Sequence, residues 1–227
     1  MFILINKPPS WTSHDVVAKL RRITKERTIG HAGTLDPFAT GLLIVAIGRN
    51  STKHLDRFLK LDKVYQATIR LGETTDTLDP EGEITADLHP HNVQEIDLNA
   101  AMTALTGSYG QIPPMHSAIK KNGKKLYELA RRGIDIPREP RPVTIYRFEL
   151  TEPVFSPLLT PFSLAATIAC SSGTYIRSLA RDLGEKLGTV AYLTTLRRTQ
   201  IGEYTLENAH NIEDVTPETW QKMGFDL

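Results

Sequence analysis

The sequence has one cysteine, Cys170, in 227 residues. A lone thiol closes no internal disulfide and builds no thiolate zinc cluster, so oxidised secreted scaffolds and zinc ribbons are excluded. No apolar run exceeds Leu42–Ile47, far short of the roughly 18 residues that a membrane span needs. The opening Phe2–Ile5 is stopped by Lys7-Pro8-Pro9, too soon for a secretory signal. These absences predict a protein of the reducing cytoplasm with no membrane span. Several chemical signatures are missing too. There is no Gly-x-x-x-x-Gly-Lys-[Ser/Thr] or Gly-x-Gly-x-x-Gly phosphate cradle, no His-Glu-x-x-His and no Gly-x-Ser-x-Gly. The only close histidine pair, His89-Pro90-His91, sits in an acidic stretch and reads as solvated. Any catalysis is therefore expected to need neither metal nor organic cofactor.

A 40% apolar and 23% charged composition is enough for a core, in one large domain or two small ones. The net charge of +1 hides an uneven distribution. Residues 1–60 carry +6, 61–116 carry −7, 117–147 carry +6 and 148–227 carry −4. Two basic segments can fold into one positive face for a polyanion, or can simply be solvated helices. The run Lys120-Lys121-Asn122-Gly123-Lys124-Lys125 sharpens the first reading, because its Gly and Asn predict a hairpin or a loop tip carrying four lysines.

Periodicity predicts strands at Phe2–Ile5, Leu42–Ile47, Tyr65–Leu71, Val143–Leu150, Leu164–Cys170, Val190–Leu196 and Ile201–Leu206. Helices are expected after a capping box at Thr12-Ser13-His14-Asp15, after Ser51, over Leu98–Leu105 with Gly107 closing it, over Leu126–Arg132, and over Ile176–Leu187. Gly30 to Gly41 reads as a loop and Gly72 to Pro90 as turns. Without regular βα alternation the fold is expected to be α+β, with a mixed, largely antiparallel central sheet flanked by helices.

One carboxylate stands out. Asp36 lies between Leu35 and Pro37-Phe38, inside Gly30-His31-Ala32-Gly33-Thr34-Leu35-Asp36-Pro37-Phe38-Ala39-Thr40-Gly41. A carboxylate against apolar surface is costly unless paired, so it either starts a turn or is a reactive group. Arg177, near the start of a predicted helix, opposes the helix dipole and needs another partner. An Asp–Arg pair would keep the carboxylate ionised and oriented for attack.

The twelve residues from Gly30 to Gly41 resemble the signature loop of the tRNA pseudouridine synthase B (TruB) family. Asn6-Lys7-Pro8 with Thr12-Ser13, Lys63-Val64-Tyr65, Thr75-Asp76-Thr77, Gln111 to Ala118, Gly123-Lys124-Lys125-Leu126-Tyr127, Gly173 to Arg177 and Leu196-Arg197-Arg198 are similar to its other motifs, in order. The resemblance covers residues 6–198. It implies the pseudouridine synthase fold with a catalytic cleft across the sheet, and the conversion of uridine at position 55 of the tRNA T loop to pseudouridine.

The resemblance also assigns roles. Asp36 is the catalytic carboxylate, attacking the ribose C1′ or assisting base departure and then capturing the sugar. Tyr65 stacks on the target ring and handles a proton, Arg177 pairs with Asp36, and Tyr175 and Leu196 form the uracil pocket. His31 fills the space that the flipped base leaves in the RNA stack. Asp76 organises the site or contacts RNA, or is a turn carboxylate. Lys120, Lys121, Lys124 and Lys125 are expected to contact tRNA phosphates. The partner implied is the tRNA T arm, met by a monomer.

Three departures from the family pattern are visible. Asn6 stands where Asp is common, Ser10 where Gly is common, and Ser172 where Lys is frequent. Only 29 residues follow Arg198. Residues 1–198 are therefore expected to form the catalytic domain and 199–227 a short extension completing it, without a full C-terminal RNA-binding (PUA-like) domain. Two other readings use the same residues: a tRNA-binding or RNA-folding protein without chemistry, and a glycoside hydrolase working through Asp36 and Asp76. The second fits poorly with 7% aromatic residues.

Overall fold

The computed structural model describes residues 1–88, 95–121, 123–151 and 162–227. The histidine pair His89 and His91 and the hairpin residue Asn122 lie outside them. Along the chain run β1 (Phe2–Lys7), α1 (Ser13–Thr24), β2 (Ile29–Ala32), β3 (Thr40–Ile47), α2 (Arg49–Thr52), α3 (Asp56–Leu59) and β4 (Lys63–Leu71). There follow β5 (Glu73–Thr75), β6 (Ile84–Asp87), α4 (Glu95–Ala104), β7 (Gly107–Gln111), β8 (Lys120–Lys121), β9 (Lys124–Lys125) and α5 (Leu126–Ala130). The last elements are β10 (Arg141–Leu150), β11 (Phe162–Cys170), α6 (Ile176–Lys186), β12 (Ala191–Ile201), β13 (Tyr204–Thr205), β14 (His210–Asn211) and β15 (Gly224–Phe225). Strands and helices do not alternate regularly and the sheet is mixed, so the fold is α+β. None of the described helices is long and apolar enough to cross a membrane.

The chain forms two compact units, Met1–Gln66 with Thr195–Leu227, and Ala67–Thr194. The boundaries fall inside β4 and β12, so both strands have residues in each unit. In the first unit the strand order is β14-β1-β3-β12, with β2 added to β3. β1 and β2 run antiparallel to β3, and β12 runs parallel to it. β1 and β3 are nearly all apolar because both of their faces are covered. Ile3, Ile5, Leu43 and Val45 pack with Val16, Val17 and Leu20 of α1. Phe2, Leu4, Leu42 and Ile44 point the other way, onto Phe58 of α3. α1 starts as its sequence demands: the Thr12 side chain accepts from the Asp15 N–H, and the Asp15 carboxylate accepts from the Thr12 N–H.

In the second unit the order is β4-β11-β10-β7. β10 is antiparallel to both of its neighbours. In α4, Leu98, Ala101, Met102 and Leu105 are buried, and in α6 so are Ile176, Leu179, Ala180 and Leu183, each set at helical spacing. At Gly184 of α6 a Cβ would come within 2.8 Å of the Ala191 nitrogen, so the glycine lets the helix lie close to the start of β12.

Four local expectations need correction. The Gly30–Gly41 segment is not all loop, since its first three residues pair along β3 as part of β2. Ser51 caps no helix. It is buried within α2, where Gly48 is the N-cap, and the N-terminal ammonium donates to its hydroxyl. Gly107, with φ 96°, opens β7 rather than closing α4. Of the two strands expected over Val190–Leu206, the first runs on through Arg197-Arg198 to Ile201 as the eleven-residue β12, because neighbouring strands pair with it, and the second is shortened to Tyr204–Thr205, β13, which turns back onto it.

Candidate active site

The first unit holds Asp36, His31, Tyr65 and Leu196. Asp36 is half-buried on the loop between β2 and β3. That loop is held on several sides by its backbone. The Ser13 hydroxyl accepts from the Leu35 N–H at 2.9 Å and donates to the Leu35 carbonyl at 3.3 Å. The Ser10 N–H donates to the Pro37 carbonyl at 2.9 Å, and the Ala39 N–H to the Asp36 carbonyl at 3.1 Å.

Two buried cations complete the mounting. Lys7, with no exposed surface, donates from Nζ to the carbonyls of Pro8 at 2.9 Å, Trp11 at 2.5 Å and Pro37 at 3.1 Å. Arg198, 1% exposed, donates from Nη2 to the Gly33 carbonyl at 3.0 Å and from Nε to the Leu42 carbonyl at 2.8 Å. At Gly41, with φ 102°, a Cβ would run into the Arg198 main chain, which explains a glycine there. The backbone is therefore fixed on both sides of Asp36 by charge-assisted bonds, the strong kind in a dry interior. Lys7 and Arg198 both lie in motifs of the sequence, but no local signal marks either as an anchor of this loop.

His31, on β2, has a buried Nδ1 with no hydrogen-bond partner among the described residues. Burial, followed by the charges of His14 and Arg198, pushes its pKa from 6.5 down to about 4. The ring is therefore neutral at physiological pH. His14 meets it edge-on, with ring centroids 5.5 Å apart. Tyr65 is 8% exposed on β4, at an alternate position shared with buried Lys63, Ala67, Ile69 and Leu71. Lys63 anchors the start of that strand by donating to the Leu59 carbonyl at 2.7 Å and the Leu61 carbonyl at 2.5 Å. Leu196 is buried on β12.

The second unit holds Arg177, Tyr175, Asp76 and the lysine hairpin. Arg177 lies in the first turn of α6 and is buried. Its Nη1 donates to the Thr77 carbonyl at 2.8 Å and its Nη2 to the His116 carbonyl at 2.8 Å. It also forms an ion pair of 3.2 Å with Asp79, both side chains 4% exposed. The Asp79 carboxylate accepts in addition from the Thr77 hydroxyl at 2.6 Å and the Glu81 N–H at 3.0 Å.

Asp79 is a buried partner of Arg177 that the sequence reading missed, although a signal was present. Thr77-Leu78-Asp79-Pro80 repeats the four letters of Thr34-Leu35-Asp36-Pro37, so here too a carboxylate stands between a leucine and a proline. Leu78, with φ 62°, holds a backbone conformation that leucine rarely adopts, directly before this carboxylate. Asp76, by contrast, is exposed and accepts from the Glu83 N–H at 3.0 Å, the bonding of a turn carboxylate.

Tyr175 is the half-buried N-cap residue of α6. The lysine hairpin forms as its sequence suggested, Lys120 opposite Lys125 and Lys121 opposite Lys124. Lys121 donates to the Pro137 carbonyl at 2.5 Å, and Lys125 donates to the Tyr127 hydroxyl at 3.2 Å. Lys120 and Lys124 are exposed.

The class of protein follows from comparison with known sequences and structures. The family model described as TruB family pseudouridylate synthase, N-terminal domain, matches residues 21–176, and that of the tRNA pseudouridylate synthase B C-terminal domain matches 177–225. A tRNA pseudouridine synthase B of Arthrobacter sp. (strain FB24) is 47% identical over 216 residues, covering 95% of this chain and 70% of that protein. One from Thermobifida fusca (strain YX) is 45% identical over 218 residues, covering 95% and 74%. Among solved structures, a chain of a Cbf5-Nop10-Gar1 complex superposes with a TM-score of 0.72 at 28% identity, over 99% of this chain and 56% of that one. A chain of an H/ACA RNP bound to a substrate RNA containing 2'-deoxyuridine gives a TM-score of 0.68 at 25% identity, over 99% and 56%. The fold and the ordered motifs are those of a pseudouridine synthase, an isomerase. Within that class, the chain belongs to the TruB family.

Proposed function

We propose that this protein converts the uridine at position 55 in the T loop of tRNA to pseudouridine, with Asp36 as nucleophile. Pseudouridylation of tRNA is the activity for which its relatives are named; the position and the residue roles are our reading. In the reaction the N1–C1′ bond breaks, the uracil turns, and C5 bonds to C1′. N1 gains a proton and C5 loses one. The base must leave the RNA stack for this, and a neutral His31 ring offers a planar surface to occupy the vacancy.

Asp36 attacks C1′ and holds the sugar while the uracil turns. Arg177 keeps the carboxylate charged and oriented, and Asp79 orients Arg177 in turn. Tyr65, Tyr175 and Leu196 enclose the uracil, and Tyr65 handles the proton. Asp76 lies near the RNA as a turn residue. Lys120, Lys121, Lys124 and Lys125 face tRNA phosphates. Residues 1–198 carry the chemistry and 199–227 complete the same body, which acts as a monomer in the reducing cytoplasm, where a buried thiol such as that of Cys170 stays reduced. The observation that carries this reading is the mounting of the Asp36 loop. Lys7, Ser13 and Arg198 immobilise the backbone on either side of the carboxylate, the preorganisation that nucleophilic attack needs.

The test is tritium release from tRNA carrying uracil labelled at C5. Wild type should release one equivalent per tRNA, and none from a labelled transcript with cytidine at position 55. Asp36→Asn should slow release at least ~10³-fold while binding tRNA within about twofold of wild type. Release by both proteins would clear Asp36 of its role. Release by neither would favour a tRNA-binding protein without chemistry.

A further inference from the structure

Tyr175 holds the N-cap position of α6 without a side-chain cap of its own, at φ −97° and ψ 110°. Its main chain is held instead by one side chain from β7. Gln111 accepts from the Tyr175 N–H through Oε1 at 2.9 Å and donates to the Tyr175 carbonyl through Nε2 at 3.1 Å. The same carbonyl accepts the first bond of the helix, from the Leu179 N–H at 3.1 Å. Gln111 is 1% exposed, so water does not compete for these bonds.

An amide can face either way, and a glutamine turned over would oppose donor to donor and acceptor to acceptor. Tyr109 decides the orientation. Its hydroxyl donates to the Asp182 carboxylate at 3.1 Å, and this carboxylate is itself held by Arg181 at 2.6 and 3.0 Å. An ionised carboxylate only accepts, so the phenolic proton is committed to it. The Tyr109 oxygen is left as an acceptor for Gln111 Nε2, at 2.9 Å. Burial, reinforced by the Asp182 charge, raises the Tyr109 pKa and keeps that phenol protonated. A chain of bonds from Arg181 through Asp182, Tyr109 and Gln111 thus ends on both polar atoms of the Tyr175 main chain.

Two bonds of fixed direction on one residue set the peptide planes on its two sides, and with them the direction of the Cα–Cβ bond. The Tyr175 side chain therefore leaves the backbone along a line that Gln111 defines. We propose that Gln111 is a positioning residue for pseudouridine formation: its amide, oriented by Tyr109 and Asp182, aims the Tyr175 ring at the extruded uracil and touches no substrate itself. This rests on the reading of Tyr175 as a wall of the uracil pocket. Displacing a pocket wall by about 1 Å can cost on the order of 10²-fold in rate, whereas affinity for a whole tRNA, spread over many phosphate contacts, should hardly change.

The test measures single-turnover pseudouridine formation and tRNA Kd. Gln111→Met keeps the length and shape of the side chain and removes its bonds. It should slow the single-turnover rate ~10- to 100-fold, with Kd within about twofold of wild type. Tyr109→Phe, which frees the amide to turn over, should slow it by a smaller factor, ~3- to 10-fold. In a Tyr175→Leu background both substitutions should change the remaining rate less than about twofold, because the residue through which they act is gone.

A wild-type rate for Gln111→Met overturns the proposal, as does a loss of equal size in the Tyr175→Leu background. If Gln111→Met does not fold by circular dichroism, Tyr109→Phe carries the same test. A wild-type rate for Tyr109→Phe, or a loss that persists without Tyr175, then overturns the proposal. Failure of the proposed function itself looks different, since wild type would then form no pseudouridine.

Discussion

Arg177 and Asp79 face each other at 3.2 Å with both side chains almost entirely removed from water. A desolvated ion pair is poor evidence of stabilisation, since apolar residues of the same volume often do as well, but losing one partner strands the other. Asp79→Ala is expected to cost about 3–5 kcal/mol of stability in urea denaturation. Asp79→Asn, which can still accept from the Thr77 hydroxyl and the Glu81 N–H, should cost less. An unchanged unfolding midpoint in Asp79→Ala would mean that the pair is solvated.

Ser10 sits at φ 64°, in the left-handed region that favours glycine, and its N–H holds the Pro37 carbonyl beside Asp36. The left-handed region costs an ordinary residue about 1–2 kcal/mol, partly offset by the greater freedom of an unfolded glycine. Ser10→Gly should therefore raise stability by about 0.5–1 kcal/mol, read as a higher melting temperature, with the pseudouridylation rate unchanged. A lower melting temperature would mean that the serine hydroxyl contributes more than the backbone loses.

His31 gives a pH dependence with a definite sign. Its pKa is about 4 when folded against 6.5 for a free imidazole. The unfolded chain therefore binds the extra proton between these values. Its contribution to stability is complete above pH 6.5 and is lost as the pH falls toward 4. The C2 proton of His31 should titrate near pH 4 by NMR, and His31→Phe should flatten the stability profile between pH 6.5 and 4. A titration midpoint near 6.5 would place the ring in water.

The lysine hairpin divides into engaged and available charges. Lys121 and Lys125 already bond within the protein, while Lys120 and Lys124 stand exposed. Replacing Lys120 and Lys124 by Gln should lower the magnitude of the salt slope of tRNA binding by about 1.4, at roughly 0.7 per single-stranded phosphate contact. An unchanged slope would remove these two lysines from the RNA interface.

Much of the local structure was legible because short-range signals act alone. The Thr12–Asp15 capping box, the alternation along β4, the stripe of α6 and the pairing of Lys120-Lys121 with Lys124-Lys125 each need only neighbouring residues to be satisfied. Errors came where partners from elsewhere in the chain decide. Ile29 to Ala32 became strand because β3 offers it a ladder, and β12 continued through two arginines because neighbouring strands cover both of its edges. Asp79 was passed over because it lies among turn residues, and only the buried guanidinium of Arg177 distinguishes it from Asp76 three residues earlier.

The amino-acid sequence by itself determined the family, the α+β class and the loop that carries Asp36, since these rest on ordered motifs and on local periodicity. Tertiary structure alone decided that Lys7 and Arg198 hold that loop by its carbonyls, that Asp79 is a partner of Arg177, and that Gln111 grips Tyr175. Each of these depends on a charged or amide group finding its counterpart thirty to more than a hundred and fifty residues away in a space without water, and chain position carries no record of such distances.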